Sequence, residues 1–308
     1  MNLKPLLRAA QTLSGLAWVQ GPGGNVSRKD AQTLAVKASG TRLDALSPAS
    51  LAFVPLAQAH AALAGEPAAM TALFQHTPRP SLETWLHALP GRYILHTHPL
   101  GVLLVACSGV AAPAGVADVA AALPGRELAL ALLAAGDGDA WLLRNHGLVV
   151  RSASAEGAVR RTRAIDAACR ALFAVAPREM PVPPPLQPQP VAGGVVAPLP
   201  PQPVAPPRYL FPDAAVLTAQ TPVAALTAAH AAAKLVADPR PGVLAAPDGQ
   251  RWAVARTAAQ LRDVVEVVTA HDWLLARLGA AAVALPAAMT AAILDMPAER
   301  YRQLGASA

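Results

Sequence analysis

His96 and His98 stand two residues apart in the apolar run YILHTH (93–98). In a strand, side chains two apart share one face, so both imidazoles converge on one point. Neutral imidazole is a common nitrogen ligand for divalent first-row metals, and three protein ligands with an open position is the pattern of a catalytic metal. Paired strand histidines also serve as plain packing residues, and both readings stand at this level. His146 lies in the turn Asn145-His146-Gly147, as a third ligand or as a turn residue; Gly147 permits positive φ and a close approach of the backbone. Glu83 opens a short helical stretch thirteen residues before His96. Its carboxylate is either an acid/base or a partner of the helix dipole. His87, one turn later on the same face, reads as packing or support, and Tyr93, of opposite parity to the histidines, as core.

Three further segments offer groups for an anion. Gly21 to Ser27 (GPGGNVS) is a glycine-rich loop whose backbone N–H groups can cradle charge, Ser39-Gly40-Thr41 is a second turn, and Ser81 caps a helix start. Each also reads as an ordinary turn or cap.

The elements that must hold these residues alternate between strand and helix. An amphipathic helix opens the chain, with Leu3, Leu6, Leu7 and Leu13 on one side. Strands are expected at 33–37, 50–56, 93–98, 140–144 and 148–151, and helices at 81–89, 126–135 and 155–174. Asn145-His146-Gly147 joins the last two strands as a hairpin. This mixture implies an α/β domain with hairpin-connected strands rather than a purely parallel sheet. Residues 181–207 are so rich in proline that they read as an extended spacer unable to form helix or inner strand. The expected division is therefore a domain at 1–180, a linker at 181–207, and an extension at 208–308 with a hairpin around Asp248-Gly249 and a helix at 258–278.

Of the 308 residues 54% are hydrophobic, enough for a substantial core. The formal charge is +6, carried mainly by scattered arginines; the one dense cluster, Arg160, Arg161 and Arg163, reads as a solvated helix face, so no nucleic-acid partner is expected. Cys107 and Cys169 form no CxxC pair, which excludes a cysteine-based zinc site and suits a reducing, cytoplasmic setting. The uncharged stretch 99–117 is broken by Pro99, Gly101, Gly109, Pro113 and Gly115, and reads as buried chain rather than a membrane span.

Taken in order, GGNVS, VKASGT, PSLET, HTHP and NHG resemble the class II aldolase/adducin family over roughly the first 175 residues. They are most similar to the sugar-phosphate aldolase-like branch. The resemblance implies a three-layer α/β/α sandwich with a mixed, largely antiparallel central sheet, followed here by a mostly helical C-terminal extension. It also implies assembly as a homotetramer. It makes His96, His98 and His146 ligands of a divalent metal, most simply Zn2+, with Mn2+ or Co2+ as alternatives. Glu83 becomes the acid/base and a possible further ligand. Gly24, Asn25, Ser39, Gly40 and Ser81 fall on positions that hold a substrate phosphate. Leu82 stands where sugar-phosphate aldolases often have a second serine, a loss that Lys37 can offset with its charge. Tyr209 and Tyr301 are the candidates for protonating a leaving aldehyde oxygen. The implied reaction cleaves or forms a C–C bond in a small hydroxy-carbonyl compound through a metal-stabilised enediolate. Relatives run decarboxylation or dehydration by the same logic, and adducin-type members are scaffolds lacking the full metal set.

Overall fold

In the computed structural model, which describes residues 1–203 and 206–299, the chain separates into two units, Met1–Met180 and Pro181–Ala308. In the first unit Pro5 sits in the opening turn of helix α1 (Lys4–Thr12), where its missing N–H costs nothing. Strands β1 (Asn25–Lys29), β2 (Thr33–Lys37) and β3 (Leu51–Pro55) then form an antiparallel meander. Helices α2 (Leu56–Ala64), α3 (Pro67–Leu73) and the single turn α4 (Thr84–His87) precede β4 (Tyr93–Thr97). After it come α5 (Leu100–Ala106), β5 (Ala117–Val119), α6 (Arg126–Ala134), β6 (Ala140–Leu143), β7 (Gly147–Ser152) and α7 (Ala155–Leu172). Ser154 caps α7 by accepting from the Gly157 N–H at 3.0 Å.

The seven strands lie in the order β3-β2-β1-β4-β7-β6-β5, and every pairing is antiparallel except β5 with β6. One face is covered by α2, α4 and α6, where Trp85, Leu86, Leu128 and Leu132 meet Val36, Ile94, Trp141 and Val149. The other face carries α1, α5 and α7. This is the expected three-layer sandwich, and the long fully buried runs of β1, β4 and β6 follow from its two covered faces.

One boundary differs. The glycine-rich loop ends at Gly24, and Asn25, Val26 and Ser27 belong to β1, with Asn25 opposite His96. Polar side chains at alternate positions of a buried strand hid it.

The second unit contains helices, as expected, and also a five-stranded sheet of order β10-β11-β12-β9-β8. Its elements are β8 (Gln189–Val191), β9 (Gly194–Leu199), α8 (Pro212–Leu217), β10 (Gln220–Pro222), α9 (Ala228–Ala237), β11 (Gly242–Ala245), β12 (Arg251–Ala255), α10 (Ala258–Leu278) and α11 (Ala287–Asp295). The reading of 181–207 as a spacer throughout is thus corrected: β9 is an inner strand, paired with β12 and β8. Proline is tolerated there because β8 reaches only Val196, so at Pro198 the strand has one neighbour rather than two. The hairpin at Asp248-Gly249 and the long helix α10 lie where expected, and Val264, Val265 and Val268 of α10 pack on β9 and β12. Among the described residues, no helix is long and apolar enough to cross a membrane.

Candidate metal centre

His96 is the last residue but one of the fully buried strand β4, and His98 follows one residue past its last paired position. The backbone around His98 is tied down on both sides. Its N–H donates to the Trp18 carbonyl at 2.9 Å, and its own carbonyl accepts from Gln20 Nε2 at 3.1 Å. His146 is presented by the tight turn between β6 and β7, where its N–H donates to the Leu143 carbonyl at 3.1 Å. Both Asn145, at φ 55°, and Gly147, at φ 158°, take positive φ in that turn. Gly147 is needed for close packing as well: a Cβ there would stand 2.5 Å from the Thr97 carbonyl oxygen and 2.8 Å from His98 Cδ2.

The three imidazoles are buried, and their ligand nitrogens all lie within 4.8 Å of one another. His96 and His98 face each other at 3.1 Å between their Nε2 atoms. Glu83, at the N-terminal edge of α4, places Oε1 3.0 Å from His146 Nε2 and 3.2 Å from His96 Nε2.

The proton inventory shows what this cluster fits. His96 Nδ1 lies 3.0 Å from the Leu148 carbonyl, which can only accept, so the ring's proton is on Nδ1 and Nε2 turns a lone pair inward. Burial lowers the pKa of His146, outweighing the opposing pull of Glu83. Burial alone would raise Glu83, but the imidazoles of His96 and His146 more than offset it and hold the carboxyl well below its usual range. One carboxylate oxygen and the Nε2 atoms of His96, His98 and His146 therefore crowd one point. Ligand atoms around a tetrahedral zinc stand roughly 3.3 Å apart, given Zn–N bonds of about 2.0 Å. The closest separations here match that spacing, and a divalent cation is the group the residues fit. The Leu148 carbonyl supplies the orienting hydrogen bond that metal-bound histidines characteristically make.

The candidate anion-binding residues form a second, adjoining group. Asn25 is directly opposite His96 in the sheet, fully buried, and neither of its amide atoms has a hydrogen-bond partner. Lys37 is also buried, and its Nζ donates to the Pro22 carbonyl at 3.0 Å and the Thr41 carbonyl at 2.6 Å. It thereby braces the glycine-rich loop against the Ser39-Gly40 turn. Ser39 N–H donates to Arg79 O at 2.9 Å, and Ser81 N–H to Lys37 O at 3.3 Å, which brings the helix-start segment alongside. Gly24 takes φ +68°, and a Cβ there would meet Val19 at 2.7 Å and the His96 carbonyl at 3.0 Å, so glycine is required. Gly40, at φ +74°, has open space. Leu82 packs toward Gly125, and its apolar side chain brings no donor to this group.

Tyr209 belongs to the second unit, where its hydroxyl accepts from the Gln220 N–H at 3.3 Å and burial raises its pKa. Tyr301 lies outside the described residues. Two buried side chains that tie down segments around the centre were missed: Gln20, bonded to the His98 carbonyl, and Lys29, bonded to the His87 carbonyl. The alternation Asn25, Ser27, Lys29 was the signal available for the latter, because polar residues at every second position mark one face of a strand.

The chain thus presents a buried three-histidine cluster with an adjacent carboxylate on a three-layer α/β/α sandwich. The family model described as "Class II Aldolase and Adducin N-terminal domain" matches residues 4–173, and the chain belongs to that family. No curated protein matches the chain. Similar solved structures include the N-terminal class II aldolase domain of a conserved protein from Thermoplasma acidophilum. It has 21% identity and a TM-score of 0.49, over 56% of this chain and 94% of that one. YgbL from Klebsiella pneumoniae has 22% identity and a TM-score of 0.44, over 56% and 89%. The l-fuculose-1-phosphate aldolase of Thermus thermophilus has 18% identity and a TM-score of 0.42, over 55% and 91%.

Proposed function

We propose that this protein is a metal-dependent aldolase-type lyase that cleaves or forms a C–C bond in a small hydroxy-carbonyl compound, sugar-like or sugar-phosphate-like. The observation that carries the reading is the placement of the Glu83 carboxylate 3.0 and 3.2 Å from two of the histidine nitrogens. That puts a base beside any carbonyl compound drawn to the centre. His96, His98 and His146 would hold the ion, with Glu83 as a further ligand before substrate arrives. A divalent metal, most simply zinc, with manganese or cobalt able to substitute, supplies Lewis-acid polarisation of a substrate carbonyl oxygen.

The rest is the work of the chain. Glu83, kept ionised, takes and returns the proton at or near the carbon beside that carbonyl. The buried position of the histidines excludes bulk water from the reacting atoms. Asn25, Ser39, Gly40 and Ser81, with the backbone at Gly24, receive the far, oxygen-rich end of the substrate, and Lys37 places a positive charge behind them. Family membership supports assembly as a homotetramer, which light scattering on the purified protein would read.

The test is a panel of ketose phosphates, tetronate-type acids and their unphosphorylated forms, incubated with zinc-loaded protein and followed by NMR. Aldehyde release from a C–C cleavage is the expected result. Glu83→Gln should lower the rate by about 10²–10⁴-fold. Release of carbon dioxide or water instead would reassign the reaction to decarboxylation or dehydration. A metal-loaded protein that turns over none of these compounds, and exchanges none of their protons with solvent, would leave the adducin-like scaffold reading in place of the enzyme.

A further inference from the structure

On the strand beside the one that carries His96 lies a buried lysine that the proposed reaction does not use. Asn25, Ser27 and Lys29 alternate along β1, and Asn25 and Ser27 stand opposite His96 and Ile94 of β4. Lys29 is only 7% exposed. Its Nζ donates to the carbonyl of His87 at 2.8 Å and also to the carbonyl of Leu89. Two residues along the strand, Ser27 Oγ lies 2.7 Å from His87 Nδ1. Lysine is rarely buried unless something specific engages it, and methionine would fill the same space without desolvating a charge. What Lys29 engages is the C-terminal end of α4.

That helix matters because of its other end. α4 is a single turn of four residues, too short to hold its own shape, and Glu83 is the residue immediately before it. The carboxylate must nevertheless be held at hydrogen-bond distance from His96 and His146. β1 supplies the common reference: it pairs with the strand that carries His96, and through Lys29 and Ser27 it also grips His87 and Leu89.

We infer that Lys29 is a positioning residue, which fixes the single-turn helix α4, and with it the Glu83 carboxylate, in register with the histidine strand. The inference rests on the metal-centre reading above. It differs from a plain stabilising role in one measurable respect: Lys29 acts on the metal through Glu83, so the two residues are energetically coupled.

A double-mutant cycle on the full-length protein tests this. Cobalt(II) affinity is measured by competition with a chelating dye, and the visible spectrum of the bound cobalt reports its coordination. Glu83→Gln is expected to weaken binding by roughly 10–100-fold and alter the spectrum, as loss of a ligand or its support does. Lys29→Met is expected to weaken binding about tenfold and shift the spectrum in the same direction, while Lys29→Arg stays near wild type. The double variant should bind no more than about twofold more weakly than Glu83→Gln alone, because the lysine has nothing left to position. Melting of the metal-free proteins records any general loss of stability separately.

Wild-type affinity and spectrum in Lys29→Met would overturn the inference, and so would losses that multiply in the double variant. Should Lys29→Met fail to fold, Ser27→Ala enters the same cycle, since it releases His87 from β1 without removing a charge. A wild-type protein that takes up no cobalt would sink the metal reading and this inference together. Normal cobalt binding that Glu83→Gln leaves unchanged would sink the inference alone.

Discussion

Gly147→Ala places one methyl group where the structure has no room for it, beside a ligand it does not itself contact through a metal. The added Cβ would sit 2.8 Å from His98 Cδ2 and 2.5 Å from the Thr97 carbonyl oxygen, whereas ordinary contact begins near 3.4 Å. Relief therefore needs a displacement of about 0.6 Å (3.4 − 2.8) at the imidazole and about 0.9 Å (3.4 − 2.5) at the carbonyl. The carbonyl has little freedom, because Thr97 is paired with Leu148 in the β4–β7 ladder. The shift falls on the His98 ring and on the start of β7, next to His146. Metal–ligand distances tolerate only about 0.2 Å, so a displacement three times larger degrades the centre. The expected result is a loss of divalent-metal affinity of at least about tenfold and a loss of about 1–3 kcal/mol in metal-free stability, the usual cost of overpacking. Chelator competition and thermal melting measure the two effects. Gly138→Ala is the control, since its Cβ would meet nothing closer than 3.9 Å; it should change stability by no more than about 1 kcal/mol. A Gly147→Ala protein with wild-type affinity and melting temperature would refute the packing argument.

Two further outcomes follow from the local geometry. Burial, with the nearby charge of Arg151, lowers the pKa of Lys29 from 10.5 to about 7. Between those values the unfolded chain binds the extra proton, so metal-free stability gains from this residue as pH rises from about 7 to 10.5, by at most about 1.4 kcal/mol per pH unit. Denaturant titrations at several pH values should show this slope in wild type and lose it in Lys29→Met. Asn145 occupies left-handed backbone at φ 55°, so Asn145→Ala should cost about 1–2 kcal/mol and Asn145→Gly considerably less, as read by urea unfolding.

The parts of the centre set by local periodicity were legible before the structure. The two-residue spacing of His96 and His98 requires a shared face once the segment is a strand, and the turn around His146 is marked by its own composition. Positive φ at Gly147 was expected; that Asn145 takes it as well was not legible, because the glycine alone could have made the turn. The second sheet was hidden for a different reason. Proline suppresses every strand signal in 181–207, and its tolerance at Pro198 depends on where β8 ends, which is a tertiary fact. The supporting ties were beyond sequence reasoning altogether. Gln20 reaches His98 across 78 residues and Lys29 reaches His87 across 58, and no local pattern encodes such pairings. β1 illustrates the cost of a reasonable rule: glycines at 21, 23 and 24 suggested a loop continuing to Ser27, while buried pairing with β4 made a strand from Asn25 onward.

The most direct measurement is metal content by elemental mass spectrometry, on purified wild type and on His96→Ala/His98→Ala, each reloaded with zinc and dialysed. About one ion per chain in wild type, and none in a folded double variant, is the predicted result for a single three-histidine centre. A well-folded wild type that holds no divalent metal after reloading, or a double variant that retains its ion, would contradict the account.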